Sequence, residues 1–158
     1  MNDTDVKFME HAFVLARNGM ASNAGGPFGC VIVKDGQVIG EGWNRVTSDN
    51  DPTAHAEVVA IRDACRNLSS FQLSGCEVYT SCEPCPMCLG ALYWARPKAI
   101  FFAATREDAA FGGFDDDFIY KELDLPLEER TIPLKNILAA DGRELFVEWL
   151  NKSDKTSY

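Results

Sequence analysis

The chain has 158 residues, of which 46% are hydrophobic and 25% are charged, as in an ordinary globular domain with a sizeable core. It holds no run of about 18 apolar residues, so the sequence offers no transmembrane helix and we expect no membrane partner. Its 24 acidic residues outnumber 15 basic ones, and the net charge of −9 argues against nucleic acid as a partner, since binding phosphates requires lysine and arginine.

The six cysteines are not expected to form disulfides. The N-terminal residues are acidic and lack an apolar secretory segment, so we expect a single domain over residues 1–158 that stays in the cytoplasm, where thiols remain reduced. Cys30, Cys65 and Cys76 have apolar neighbours and are predicted to be buried thiols. The remaining three recur at three-residue steps, which favours metal binding: Cys82, Cys85 and Cys88.

The first half of the chain is predicted to form a helix, a β-hairpin and a second helix. The predicted ranges are 4–18 for the first helix, 28–33 and 38–43 for the hairpin strands, and 55–67 for the second helix. Gly19 is expected to end the first helix, Asp35-Gly36 is a turn signal between apolar runs, and Thr53 can cap the second helix. His11 has no ligand motif around it and is interpreted as a surface or packing residue.

The second half is predicted to alternate strands and helices. The predicted ranges are a strand at 77–80, a helix from Pro84 and Pro86 to about Trp94, strands at 99–103 and 132–138, and a helix at 142–150. Leu145, Phe146 and Trp149 should face inward, and the polar residues 151–158 should form a frayed tail. Together the elements predict an α/β fold, a three-layer α/β/α sandwich with a central mixed five-stranded sheet. The hairpin should be antiparallel, and strands joined through helices should run parallel.

Three connecting features each allow two interpretations. Gly25-Gly26 either forms a simple turn or lets the backbone approach a ligand. Asn44, at the end of a predicted strand, is either a turn residue or a hydrogen-bonding group for a planar ligand. Residues 105–130 hold nine acidic and three basic side chains. Within them, the aromatics, glycines and carboxylates of residues 111–118 indicate either a solvated surface or a loop that shapes a pocket.

The chemistry is concentrated in two short motifs. His55-Ala56-Glu57 is followed, 30 residues after the histidine, by Cys85-Pro86-Met87-Cys88. One imidazole and two thiols are ligands that Zn²⁺ takes, and a zinc with three protein ligands keeps a position for water. Glu57 can then move protons between that water and a substrate. His-x-Glu followed by Pro-Cys-x-x-Cys is the signature of zinc deaminases that act on nucleobases.

Helix geometry constrains how these motifs can meet. Residues two apart on a helix point about 200° from each other, so His55 and Glu57 converge only if the tip of their helix faces the site. Cys85 and Cys88, three apart, lie on the same side of a first helical turn. A helix N-terminus also favours the thiolate form that binds metal. We therefore expect two helix tips to abut one metal ion.

The two motifs are consistent with two interpretations of the metal site. In the catalytic one, zinc activates a water, and Glu57 moves its proton while the water attacks a ring carbon bearing an amine, which leaves as ammonia. In the other, Cys82 is a fourth ligand that closes the site, and the chain is a structural zinc module without enzymatic activity. Cys82→Ala should keep zinc and activity only in the catalytic case.

The whole chain resembles the cytidine-deaminase-like superfamily, and within it the small bacterial guanine deaminases. The motifs that carry the resemblance are Gly25-Gly26-Pro27-Phe28-Gly29, residues 50–57, residues 80–88, Phe114-Asp115-Asp116 and Tyr158. The resemblance implies a hydrolase with one Zn²⁺ per subunit that converts guanine and water to xanthine and ammonia in purine metabolism. It also implies a homodimer in which residues 140–158 are swapped onto the partner subunit.

The same resemblance implies roles for residues that the patterns left open. The implied metal ligands are His55, Cys85 and Cys88, with Glu57 as the catalytic residue, and the implied purine contacts are Phe28, Asn44, Ala56, Trp94, Asp116 and Tyr158. Asp116 would accept from the N–H groups of the guanine edge, although Asp115 beside it is an alternative. A tRNA adenosine deaminase shares the zinc motif and is the second candidate, but the chain's negative charge opposes it.

Overall fold

The structure is a computed structural model that describes residues 2–158. The chain divides into two compact units, one up to Asp117 and one over Phe118–Tyr158. The strands are β1 Gly29–Lys34, β2 Gln37–Trp43, β3 Glu77–Cys82 and β4 Ala99–Ala104. The helices are α1 Asp3–Ala21, α2 Val46–Asp49, α3 Ala56–Leu68, α4 Pro86–Ala95, α5 Arg106–Phe111, α6 Asp117–Asp124 and α7 Ala139–Asn151, with a 3₁₀ turn at Leu127–Glu129.

The four strands form one mixed sheet in the order β2-β1-β3-β4. β1 pairs antiparallel with β2 and with β3, whereas β3 and β4, which α4 connects, are parallel. The hairpin turn has positive φ at both central residues, 49° at Asp35 and 76° at Gly36, as a two-residue type I′ turn requires. The predicted antiparallel hairpin and parallel helix-linked strands are both confirmed.

Helices cover both faces of the sheet, because β1 is apolar on both sides. Its even-numbered side chains pack with α3 and α4, and its odd-numbered ones pack with α1. The first cluster comprises Cys30, Ile32, Ala56, Ala60, Ala64, Leu73, Cys76, Val78, Leu92 and Ala95, and the second comprises Phe8, Ala12, Val31, Val33 and Tyr79. The three-layer α/β/α arrangement predicted from the alternating elements is confirmed.

Gly42 on β2 allows α3 to approach the sheet closely. A Cβ atom at Gly42 would lie 2.1 Å from the carbonyl oxygen of Ala56 and 2.6 Å from the backbone nitrogen of Ala60. Both are backbone atoms of α3, so no side-chain rotation could relieve the overlap. The absence of a side chain at Gly42 therefore fixes where the first turn of α3 lies.

The start and end of α1 differ from the prediction. The helix runs past Gly19 to Ala21, since Gly19 is buried under Trp43, and a Cβ atom there would lie 2.7 Å from Cδ1 of that ring. Close packing, rather than helix termination, accounts for this glycine. Asn2 caps the helix in a capping box with Asp5, so the helix begins at Asp3, one residue before the predicted start.

The predicted fifth strand at residues 132–138 is wrong, and the sheet of the described residues has four strands. Pro133 in this segment lacks a backbone N–H and cannot donate to a ladder. The inward orientation predicted for α7 is also wrong within the single chain, where Leu145 and Phe146 are exposed, the latter at 71%. After Asn151 the chain has no helix or strand. The predictions of one domain, a frayed tail and a swapped segment stay predictions.

None of the helices between residues 2 and 158 has both the length and the apolar character that crossing a membrane demands. His11 lies on α1 and pairs with Glu41, with 2.7 Å between Nε2 and Oε1. It is therefore a surface residue, as predicted.

Candidate active site

Two helix tips meet at a cluster of three potential metal ligands. His55 is the N-cap of α3, Cys85 is the N-cap of α4, and Cys88 lies in the first turn of α4. Nδ1 of His55 is 3.6 Å from Sγ of Cys85 and 3.5 Å from Sγ of Cys88. Among residues 2–158, these three are the group of His, Cys, Asp and Glu side chains placed to hold a metal, with their ligand atoms within 4.8 Å of one another.

The cluster has the dimensions that zinc requires. Zn–S bonds of about 2.3 Å and Zn–N bonds of about 2.0–2.1 Å in a tetrahedral site place nitrogen and sulfur about 3.6 Å apart. The two measured N–S separations, 3.6 and 3.5 Å, match this value. Both N–S separations are therefore those of a tetrahedral zinc site.

Hydrogen bonding shifts the pKa values of the two cysteines in opposite directions, which favours the thiolate form of Cys85. The thiol of Cys88 donates to Cys85, and this bond lowers the pKa of Cys85 while raising that of Cys88. The bond with Cys85 also raises the pKa of His55. The backbone N–H of Cys88, in the first turn of α4, also lowers the pKa of Cys85. A divalent cation would replace the proton that the two sulfurs share.

Glu57 lies against this cluster in the first turn of α3. Glu57 is 6% exposed, and it lies close enough to Cys88 for each group to shift the pKa of the other. Burial is the largest cause of a raised pKa for the Glu57 carboxyl. His55 precedes α3 in extended conformation, with ψ of 157°, so its ring and Glu57 converge although they are two residues apart. The predicted orientation of the helix tip is confirmed, whereas Thr53 is not the N-cap.

Cys82 does not join the cluster. Its Sγ atom donates to the carbonyl oxygen of Thr105 at 3.6 Å, and burial raises the pKa of Cys82 to about 11. Cys82 is not among the side chains whose ligand atoms lie within 4.8 Å of one another. The geometry therefore disfavours the structural site with four protein ligands that the three-residue spacing of the cysteines allowed.

Comparison with known proteins agrees with this metal site. Residues 2–104 match the cytidine and deoxycytidylate deaminase zinc-binding region. Guanine deaminase of Bacillus subtilis (strain 168) is 58% identical over 151 residues, which cover 96% of this chain and 97% of that protein. The chain belongs to the cytidine and deoxycytidylate deaminase family.

A solved structure and one further relative show how much of the chain the similarity covers. The X-ray structure of guanine deaminase from Bacillus subtilis matches with a TM-score of 0.95 and 57% identity, covering 100% of this chain and 99% of that one. A tRNA-specific adenosine deaminase of Aquifex aeolicus (strain VF5) is 37% identical over 126 residues, or 80% of this chain and 81% of that protein. The similarity to the guanine deaminase structure covers both units of this chain. It confirms the fold class predicted from the sequence.

Three of the predicted purine contacts, Phe28, Asn44 and Ala56, are connected to the His55 segment by backbone hydrogen bonds or by sequence. Asn44 is buried, donates from its backbone nitrogen to the carbonyl of Phe28 at 3.0 Å, and accepts from the backbone nitrogen of Val46 at its Oδ1, 3.2 Å away. The next residue, Arg45, donates to the carbonyl of Ala54 at 2.9 Å. Ala56, fully buried, follows His55 directly. The residues that follow β2, Asn44 among them, are thereby joined to the segment that leads into His55.

The structure distinguishes the two candidate carboxylates of the loop before α6. Oδ1 of Asp115 accepts from the backbone nitrogen of Asp117 at 2.9 Å, so this carboxylate stabilises the local turn. Asp116 is the less exposed of the pair. Burial is the main cause that raises the pKa of Asp116, and the negative charge of Cys85 raises it further. Asp116 is thus within electrostatic range of the metal cluster.

Trp94 and Tyr158 are the most exposed of the predicted purine contacts. Trp94 lies in the last turn of α4 and is 67% exposed. It follows Cys88 by six residues, or about 9 Å along the helix axis. Tyr158 ends the second unit and is also exposed. The roles of both residues stay predictions.

Two features of the site were not predicted. Oδ1 of Asp51 accepts from both the backbone nitrogen and the hydroxyl of Thr53, at 2.8 and 2.7 Å, and so shapes the loop before His55. The signal for this was the Asp-Pro-Thr sequence, which favours a side-chain-stabilised turn. The other is an aromatic contact between Phe28 and Phe114, which no local pattern could have indicated because the two residues are distant in sequence.

Proposed function

We propose that the chain catalyses the hydrolysis of guanine to xanthine and ammonia, with one Zn²⁺ per subunit. The observation that carries the proposal is the buried Glu57 carboxyl beside a three-ligand zinc cluster, in a chain that is 58% identical to a guanine deaminase over almost its full length. The substrates are a free purine base and water. Purine breakdown or salvage is the corresponding metabolic role.

His55, Cys85 and Cys88 would hold the zinc ion. Bound there, zinc supplies a water molecule whose pKa is lowered to about 7. The three ligands come from two rigid helix tips, so their geometry is fixed before the metal binds.

Glu57 moves the protons of the reaction. It takes the first proton of the attacking water and delivers it to a ring nitrogen. It then takes the second proton from the oxygen now bonded to the ring carbon and delivers it to the amine, which leaves as ammonia when the C–N bond breaks. A buried carboxyl with a raised pKa suits this work, because a proton carrier is most effective when its pKa lies near the working pH. Asn44, Asp116, Phe28, Ala56 and Trp94 are proposed to bind and orient the base.

Asp116 would provide selectivity for guanine over other purines. An ionised carboxylate accepts hydrogen bonds and donates none, and the guanine edge presents N–H groups beside the amine that is lost. A base lacking those groups would leave the carboxylate half-buried without partners, which opposes its binding.

A tRNA adenosine deaminase is the second candidate, favoured by the 37% identity to the Aquifex aeolicus enzyme. The net charge of −9 opposes it, because a polyanion would meet an excess of carboxylates. Ammonia release from guanine, adenine, cytosine and tRNA, measured side by side with zinc-loaded protein, separates these functions. Release from guanine alone supports the proposal, and release from tRNA or cytosine but not from guanine contradicts it.

We also propose that the functional unit is a homodimer in which residues 140–158 are swapped, so that Tyr158 reaches the partner's site. The apolar side chains of α7 that are exposed in the single chain, including Leu145, Phe146 and Leu150, support this proposal. Burying them against a partner would remove apolar surface from water.

Complementation between two inactive variants tests the exchange. If Glu57→Gln and Tyr158→Ala chains are unfolded together and refolded as mixed dimers, one site in each dimer should regain an intact Glu57 and an intact Tyr158. Recovered guanine deamination supports the swap, and no recovery despite proven mixed dimers contradicts it.

The proposed compartment is the cytoplasm, where thiols stay reduced. None of the six cysteines forms a disulfide, and two of them are proposed to bind the metal.

A further inference from the structure

The rings of Phe28 and Phe114 form an aromatic pair beside the Gly25-Gly26 segment. Their centroids are 4.9 Å apart and their planes meet at 86°, an edge-to-face arrangement that aromatic rings favour. Phe28 immediately precedes β1, and Phe114 lies in the loop between α5 and α6. The pair therefore connects a segment next to the sheet with the loop that carries Asp116.

Gly26 has no room for a side chain beneath this pair. A Cβ atom there would lie 2.8 Å from Cζ of Phe114 and 2.9 Å from Cε2 of Phe28. Both are ring atoms at the far ends of side chains, so a methyl group would displace the rings and leave the backbone in place. At Gly25, in contrast, a Cβ atom would lie 2.7 Å from the backbone oxygen of Asn44, and the backbone itself would have to move.

The loop that carries Phe114 is held by its own hydrogen bonds. The backbone nitrogen of Phe114 donates to the carbonyl of Ala109 at 2.9 Å, and Gly113 before it has a φ of 89° that glycine adopts without strain. Asp116 follows two residues later, within electrostatic range of Cys85. The position of Phe114 is thus set together with that of the carboxylate proposed to bind guanine.

Phe28 packs against the core cluster that contains Ala56, the residue between His55 and Glu57. Its carbonyl also accepts from Asn44. The edge-to-face contact with Phe114 holds the Phe28 ring in one orientation, so the ring offers a planar base a fixed surface. Since no rotamer must then be ordered when the base binds, affinity rises without any change in the chemical step.

We propose that Phe114 is a positioning residue for the purine, acting through the Phe28 ring, and that Gly26 is the specificity-determining position that admits this ring pair. The inference rests on the proposed function and extends it to two residues with no role in proton transfer or metal binding. A planar heterocycle is the ligand class that such a wall recognises, because stacking requires a flat π-face.

A double-mutant cycle with Gly26→Ala and Phe114→Ala tests the inference. Each single change should raise KM for guanine by about 2- to 10-fold, the range expected for losing one aromatic pair, with kcat within about twofold and zinc content unchanged. In the double variant the effect of Gly26→Ala should shrink, since the ring that the methyl group displaces is gone. Phe114→Leu, which keeps bulk but not the aromatic edge, should rescue only part of the affinity.

Gly90→Ala is the matched control, since a Cβ atom at Gly90 meets no atom within 4 Å. It should leave KM and kcat unchanged. Unaltered KM in both single variants, effects that simply multiply in the double variant, or loss of zinc on changing Phe114 would each overturn the inference.

Calorimetric titration of the same zinc-loaded proteins with guanine keeps the inference separate from the proposed function. A wild-type chain that binds guanine without releasing ammonia would reject the deaminase proposal, and the binding cycle would still test the aromatic pair. A wild-type chain that does not bind guanine would reject both.

Discussion

Nδ1 of His55 lies 3.5 Å from Sγ of Cys88, although 33 residues separate them in the sequence. Each of these residues belongs to the first turn or the cap of a different helix, and both helices pack on the same face of the sheet. The metal site is therefore a property of how α3 and α4 are placed. Changes that move either helix tip should act on zinc binding and activity together.

Cys82→Ala and Cys85→Ala should separate metal ligation from packing. Loss of Cys85 removes a ligand, so zinc content should fall well below one per chain and activity should be lost. Loss of Cys82 removes a thiol bonded to the Thr105 carbonyl, so zinc content should stay at one per chain. Elemental analysis of the purified variants measures this, and a Cys82 variant without zinc would point to a closed four-ligand site.

Gly42→Ala should damage the site without touching any ligand. The added methyl group overlaps the backbone of Ala56 and Ala60, so the first turn of α3 must move and carry His55 and Glu57 with it. A misplacement of about 1 Å can cost about 100-fold in rate. We expect kcat/KM for guanine to fall by about 10- to 100-fold in folded protein, whereas Gly90→Ala, which meets open space, should match wild type. Equal activity of the two variants would contradict this role of Gly42.

Glu57 should destabilise the metal-free chain at neutral pH. Burial raises its pKa above the ordinary value of 4.5, so the folded chain binds this proton more tightly than the unfolded chain does. Stability is therefore lost as pH rises from 4.5 through the folded pKa. A tenfold difference in proton affinity is about 1.4 kcal/mol, which corresponds to about 3–5 °C for a domain of this size.

Thermal unfolding of chelator-treated Glu57→Gln and wild-type protein measures this penalty. The glutamine variant should melt a few degrees higher at pH 7, and the two should converge near pH 4. In the presence of zinc the difference should shrink, because the cation compensates the buried negative charge. A glutamine variant that melts lower than wild type at pH 7 without metal would contradict the assignment.

Asp116→Asn should weaken guanine binding, and Asp115→Asn should not. An amide at position 116 replaces a charged acceptor, and hydrogen bonds to charged groups contribute about 1.5–3 kcal/mol, or about 10- to 100-fold in kcat/KM. At position 115 the asparagine oxygen can still accept from the backbone nitrogen of Asp117, so the turn is kept. The reverse pattern in steady-state kinetics would assign guanine recognition to Asp115.

Local patterns in the sequence were sufficient for the hairpin and for the two helix tips. Asp35 and Gly36 are residue types that readily adopt the positive φ of a type I′ turn. Cys85 and Cys88, three residues apart, lie on the same face of a helix. The prediction that Gly19 ends α1 is wrong, because a glycine needed for close packing cannot be distinguished in sequence from one that ends a helix.

Features that depend on distant segments could not be predicted. The contact of Phe28 with Phe114 and the bond from Cys82 to Thr105 arise from the tertiary fold. The segment 132–138 has the apolar content of a strand, but strand formation also needs a partner edge and backbone donors, which Pro133 lacks. The choice between Asp115 and Asp116 likewise required the hydrogen bond to Asp117.

Zinc content and xanthine formation, measured on the same preparations of wild-type and Glu57→Gln protein, test the central claim most directly. Wild type should contain one zinc per chain and convert guanine to equal amounts of xanthine and ammonia. The glutamine variant should keep its zinc and lose turnover by about 100-fold or more, since positioned proton transfer contributes about 10²- to 10⁴-fold. A zinc-loaded Glu57→Gln protein that forms xanthine at the wild-type rate would contradict the account.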